Sequence, residues 1–246
     1  MFVRWLGHAT ALLIIDGVRV LTDPVLGARV GPLVRTARPA GPASLGPVDC
    51  VLLSHLHADH TDLPSLRRLG SSTPILAPHP AARWLRRAGF DEVAELRAGE
   101  ATRVGGVRVL ATEARHDARR RPLGPTGAPL GYVVEGSRSA YFAGDTDLFD
   151  GMADLRGGID VALLPVWGWG PSLGPGHLDP ERAATAAGII GPRIAIPIHW
   201  GTFALGRPWR PVADPAWPAR RFAELAAERA PAVEVRVLTP GECTDV

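Results

Sequence analysis

Four apolar runs in this 246-residue chain each lead into a histidine or an aspartate. "CVLL" runs into "SHLHADH", "VRVLATEAR" into His116, "YFAG" into Asp145 and "AIPI" into His199. Runs of this length and composition read as buried strands, so the fold must be one that brings several strand ends together. The densest of these endings, "HLHADH", sets the chemistry. His55 and His57 are two apart and point the same way in an extended turn, whereas Asp59 and His60 fall on the next bend and can face a neighbouring point. Two adjacent metal ions fit this pattern better than one. One loop cannot complete two shells, and His116, Asp145 and His199 are the candidates for the remainder. Imidazole and carboxylate donors without thiolates suit Zn, Mn or Fe and argue against a cysteine-rich structural zinc site.

The surrounding pattern supplies the scaffold. "FVRWL", "TALLIID" and "VRVLTDP" read as an antiparallel start, with Asp16-Gly17 as a hairpin turn. Gly27 to Pro47 is rich in Pro, Gly, Arg and Ala without a period and reads as a long loop. "DCVLLS", "STPILAP", "GVRVLATEA", "GYVVEG", "SAYFAGD", "DVALLPV", "IAIPIHW" and "VEVRVL" read as further strands. Helices are expected over Leu63 to Leu69, Pro80 to Ala88, Pro180 to Ile190 with Asp179 as N-cap, and Ala216 to Arg229. Strands in both halves with interspersed helices predict an α/β (α+β) chain with two sheets and helices outside.

Composition narrows the class. The length lies near the upper end for one hydrophobic core, so residues 1–246 are expected to form a single domain. Hydrophobic residues make up 46%, and no apolar run approaches the about 18 residues needed to cross a bilayer, so stable membrane insertion is not expected. Arg4, Gly7 and His8 interrupt the N-terminus too early for a secretory signal, which points to a cytoplasmic protein. All 27 Lys/Arg positions are arginine, and asparagine and glutamine are also missing, a bias that fits GC-rich coding. The net charge is +2, and a nucleic-acid partner, which would call for a concentrated basic face, is not expected. Cys50 and Cys243 have no metal or redox spacing, and Cys50, inside an apolar run, reads as a buried small hydrophobe.

Taken in order, "HLHADH", His116, "AGDT" and "PIHWGTF" resemble the metallo-β-lactamase-fold hydrolases. "WLGHATALL", "LTDPVL" and "HWGTF" resemble the branch containing N-acylphosphatidylethanolamine phospholipase D and the ascorbate-phosphate lactonases. The resemblance runs from Arg4 to Phe203 and implies a four-layer αββα sandwich with a dinuclear site at the edge between its sheets. It further implies His55, His57 and His116 on the first ion, Asp59, His60 and His199 on the second, and Asp145 bridging. Zinc is the expected metal, with manganese and iron as alternatives.

Two such ions would activate a water for attack on a phosphoryl or carbonyl centre of a small-molecule substrate, with Asp59 orienting the nucleophile. Asp at the bridging position resembles phosphodiesterases and lactonases more than antibiotic-cleaving enzymes. The leading expectation is hydrolysis of a phosphodiester or related small ester. A lactonase, or a metal-bound sensor without turnover, is the alternative. Around the site, Asp23 orients a metal-bound histidine or is an Asp-Pro turn residue. His8 is either catalytic or packed beneath the site. His177, in "GPGHLDPE", either binds substrate and donates a proton or belongs to a helix-capping loop. Trp167 and Trp169 either wall an apolar pocket or pack ordinarily. Arg119, Arg120 and Arg121 either hold a phosphate or form a solvated loop.

Overall fold

The computed structural model describes residues 1–37, 45–117, 119, 124–170, 173–206 and 214–246. β1 (Phe2–Gly7), β2 (Thr10–Ile15) and β3 (Val18–Thr22) form the expected antiparallel meander. Its second turn places Asp16 and Gly17 at φ of 51° and 84°, the two positive values that a tight hairpin needs. β4 (Arg29–Val30) and β5 (Leu33–Arg35) lie in the segment read as a long loop. Strands of two and three residues are too short to show a period, and the pairing of β5 comes from a distant part of the chain. Residues 38–44 of that segment lie outside the described residues.

β6 (Cys50–Leu52) runs parallel to β3, followed by α1 (Leu63–Leu69), β7 (Ile75–Pro78), α2 (Ala82–Arg87) and β8 (Val93–Leu96). The Asp62 side chain caps α1 by accepting from Ser65 N at 3.1 Å. The second helix begins at Ala82, two residues later than the sequence predicts, where the Glu95 carboxylate accepts from Ala82 N at 2.5 Å. The second half contributes β9 (Ala101–Val104), β10 (Val107–Glu113), β11 (Leu130–Glu135), β12 (Ser139–Phe142), β13 (Val161–Pro165), α3 (Pro180–Ile190), β14 (Ile194–Ile198), β15 (Phe203–Leu205), α4 (Trp217–Arg229), β16 (Glu234–Val235) and β17 (Cys243–Asp245). β16 is shorter than the predicted strand "VEVRVL", because its ladder with β14 covers only two residues.

One sheet has the order β17-β1-β2-β3-β6-β7-β8 and the other β16-β14-β13-β12-β11-β10-β9, with β15-β5-β4 as a small third sheet. Alternation along the strands joins the layers. In β2, Ala11, Leu13 and Ile15 enter the core between the sheets, and in β6, Cys50 and Leu52 do the same while Val51 faces outward under α1 and α2. This explains the unbroken apolar run of β6, since both of its faces are covered. α3 and α4 pack together over β13 and β14, giving the four-layer αββα sandwich. No helix among the described residues is long and apolar enough to cross a membrane.

Cys50 is fully buried, and burial pushes its thiol up to about 12, while Cys243 is exposed. A thiol reagent at pH 8 should therefore modify one cysteine in the folded protein and the second only after denaturation. Prompt modification of both would contradict the packing of β6.

Candidate metal centre

The metal-seeking side chains lie where several strands stop. His55 to His60 follow β6, His116 follows β10, Asp145 follows β12, His199 follows β14, Asp23 follows β3, and His8 occupies the turn between β1 and β2. The loop after β6 is wound tightly. His60 N and Thr61 N both donate to His57 O at 3.1 and 2.8 Å, and the Thr61 hydroxyl donates to His55 O at 2.7 Å. Gly144 lets the Asp145 loop approach it, because its φ is +61° and a Cβ there would meet Ser54 Cβ at 2.5 Å.

The donor atoms fall into two neighbouring sets. His57 Nδ1 stands 3.0 Å from His55 Nε2 and 3.2 Å from His116 Nε2. In the second set, His60 Nε2 lies 3.1 Å from His199 Nε2, and one donor atom each of Asp59, His60, His199 and His8 falls within a 4.8 Å span. Asp145 joins them, with Oδ2 3.2 Å from His60 Nε2 and Oδ1 3.2 Å from His199 Nε2. It also shares a compact grouping with His116. Tetrahedral ligands at ordinary Zn–N distances would lie roughly 3.3 Å apart, close to these separations.

The outward ring nitrogens are occupied. His116 Nδ1 donates to Gly176 O at 2.9 Å and His199 Nδ1 to Trp167 O at 2.7 Å. Their Nε2 lone pairs must therefore face inward. His60 Nδ1 meets Asp23 Oδ2 at 2.7 Å, and Asp23 also accepts from Ser54 N and Oγ at 2.7 and 2.5 Å. Asp145 Oδ1 is buried without a hydrogen-bond partner among the described residues. Inward lone pairs beside an orphaned carboxylate oxygen repel one another, and cations among them resolve the arrangement. The residues present therefore fit divalent metal.

Electrostatics agree. Burial pushes the imidazoles of His55, His57, His116 and His199 towards neutrality, that of His199 down to about 3. For Asp145 burial favours the neutral acid, but His199 and His60 outweigh it and hold the carboxyl well below its usual range. At His60 burial again opposes charge, and Asp145 and Asp23 override it, so the ion-free imidazole holds its proton well above the ordinary range. Burial raises Asp23.

The outer predicted residues separate. Asp23 is fully buried and bound to His60, so it orients that ring as well as ending its strand. His8 packs against His199, with ring centroids 3.9 Å apart, and its Nε2 lies 3.2 Å from Asp59 Oδ2. His177 reaches the site, with Nε2 3.6 Å from Asp145 Oδ2 and Nδ1 donating to Gly174 O at 3.1 Å. For it too burial opposes charge, but Asp145 raises its pKa. Trp169 donates its indole N–H to Asp59 Oδ2 at 3.1 Å. Trp167 packs on Trp217 and, with Trp169, lines a smaller, mainly apolar cavity beside the site. A cavity of about 540 Å³ opens at the site, lined by His57, Asp59, His177 and His199 together with the apolar Val30, Leu33 and Leu173. Arg119 lines it, and Arg120 and Arg121 lie outside the described residues. Sequence reasoning missed Ser54 and the carbonyls of Trp167 and Gly176. A backbone acceptor leaves no signal in residue identity, whereas Ser54 stood inside the motif.

The class that this fold and site define is the metal-dependent hydrolase of the β-lactamase kind. The Beta-lactamase superfamily domain matches residues 18–200, and the chain belongs to that superfamily. It is 34% identical over 252 residues to a metal-dependent hydrolase of Methanopyrus kandleri, covering 98% of both chains. It is 29% identical to an N-acyl-phosphatidylethanolamine-hydrolyzing phospholipase D of Caenorhabditis elegans, over 84% of this chain and 65% of that one. Among solved structures, the metallo hydrolase Igni18 of Ignicoccus hospitalis superposes with a TM-score of 0.74 at 25% identity, over 99% of this chain and 98% of that one.

Replacing Asp23 with Ala should weaken metal binding about 10- to 100-fold by freeing the His60 ring, measured by competition with a chelator. Unchanged affinity would remove Asp23 from the site. Because His60 must lose a proton to bind an ion, metal affinity should rise with pH through neutrality, with proton uptake by the buffer on binding. Titrations in buffers of different ionisation enthalpy would show this, and an affinity that falls as pH rises would contradict it.

Proposed function

We propose that the chain is a dinuclear metal-dependent hydrolase of a phosphodiester or related small ester. His55, His57 and His116 would hold one divalent ion, Asp59, His60 and His199 the other, and Asp145 would bridge them. The observation that carries this reading is the pair of converging donor sets with Asp145 touching the second and grouped with His116 of the first. Bound there, two ions would activate water and stabilise developing negative charge on the substrate. Zinc fits the donors, with manganese and iron as alternatives.

The chain's own groups complete the chemistry. Asp59 is positioned by His8 and Trp169 through one oxygen, which leaves the other free to turn towards the ions and the nucleophile. His177 lines the cavity with its Nδ1–H on Gly174 O and its Nε2 3.6 Å from Asp145 Oδ2, so that Nε2 is turned to the proposed reacting centre. A proton held there can pass to the leaving oxygen. Arg119 at the cavity wall supports an anionic substrate, as does the phosphodiester-cleaving name of the nematode relative. The intact donor sets weigh against a sensor without turnover. A lactone would place its carbonyl where the phosphoryl group sits.

Incubation of the metal-loaded protein with bis-p-nitrophenyl phosphate and a panel of lactones decides between the two reactions. We expect phosphodiester cleavage that chelation abolishes, whereas full activity in a metal-free preparation would overturn the proposal. His177→Gln should lower kcat about 10²- to 10⁴-fold on a diester with an alkoxide leaving group. It should cost less with p-nitrophenolate, which leaves without a proton. Equal losses on both would remove His177 as the proton donor.

A further inference from the structure

Beside the main cavity lies a smaller one of about 130 Å³. The two share Gly168 and Trp169. At the shared edge Gly168 carries no side chain, and a Cβ there would meet Leu173 Cδ2 at 3.1 Å and His199 Cε1 at 4.0 Å, so glycine keeps a side chain out of the edge beside a candidate ligand. Trp169 forms the rest of the shared edge, and its indole N–H is tied to Asp59 on the metal side.

The lining of the smaller cavity is apolar. Trp167, Trp169, Phe203 and Pro218 supply rings, and Ala204 keeps one wall shallow. The polar side chains there, among the described residues, already have partners. The Thr36 hydroxyl reaches Gly201 O and Thr202 O at 3.1 Å each, and Trp167 Nε1 donates to Gly170 O at 3.1 Å. Among the described residues the side-chain donors of the lining are engaged and offer water little, and engineered cavities near 150 Å³ with apolar walls accept benzene. An apolar group is the complementary occupant.

We propose that this cavity is a substrate subsite for a compact apolar substituent, of phenyl size or about four to six carbons, on the ester cleaved at the metal centre. The assignment rests on the proposed hydrolase reading and adds the substrate class: a small ester with one short apolar arm rather than a sugar or a long-chain lipid. The polar end sits among His57, His177 and Arg119, and the arm passes Gly168 to lie between Trp167 and Phe203.

The test is a homologous series of p-nitrophenyl alkyl phosphodiesters, from methyl through hexyl to dodecyl, with the metal-loaded protein. We expect kcat/KM to rise about three- to fourfold per methylene up to butyl or hexyl and then to level or fall. Ala204→Leu, which fills the cavity, should flatten the rise. A series flat in the wild type, or a rise that Ala204→Leu leaves intact, would overturn the subsite. If no diester or lactone is hydrolysed by protein carrying two ions, the hydrolase reading fails, and the subsite is then judged by benzene binding. Benzene bound by the wild type and lost in Ala204→Leu sustains it, and no binding by the wild type overturns it.

Discussion

The site depends on a division of labour within each imidazole ring. An outward nitrogen held by a carbonyl or carboxylate fixes which nitrogen carries the proton, and so fixes the direction of the remaining lone pair. His116 is set by Gly176 O, His199 by Trp167 O and His60 by Asp23. Without those outer bonds the rings would be free to turn and satisfy one another. With them, the inward lone pairs of His116 and His199 and the Nε2 of His60 gather around Asp145, whose Oδ1 has no hydrogen-bond partner among the described residues, a cluster that fits divalent metal.

The sandwich exists around this edge as much as around its core. Strands whose two faces are buried leave only their ends for polar chemistry, and parallel pairing of β3 with β6, of β12 with β13 and of β13 with β14 aligns those ends. Three non-glycine residues near the site, His8, Asp23 and His199, have φ of 54°, 32° and 65°. Such backbone costs about 1–3 kcal/mol per residue and persists where the surroundings over-determine it. At His8 the determinants are visible. Its N–H donates to the Thr202 hydroxyl at 2.7 Å, its carbonyl accepts from Trp5 Nε1 and His199 N at 2.9 Å each, and its ring lies against His199. The first turn of the chain is thereby locked to the last ligand-bearing loop.

Much of this was legible in the sequence, for a physical reason. Short apolar runs that end in His or Asp carry both a burial signal and a chemical one, so strands β6, β10, β12 and β14 could be found together with their metal-seeking residues. The Asp179 cap was equally readable, since its carboxylate accepts from Arg182 N at 2.8 Å. What escaped was non-local or carried by the backbone. β4, β5 and β15 owe their existence to mutual pairing across the chain, and no local period announces them. The carbonyls that set the rings have no residue signature. Trp167 shows both sides, because its identity suggested the pocket wall it forms, while its carbonyl, invisible in the sequence, holds His199 Nδ1.

The central claim is that two ions occupy one strand-end site, and anomalous diffraction from crystals of the metal-loaded protein tests it most directly. Data at the metal's absorption edge should show two peaks roughly 3.5–4 Å apart, one among His55, His57 and His116 and the other among Asp59, His60 and His199, with Asp145 between them. A single peak, or a metal held away from these side chains, would contradict the account.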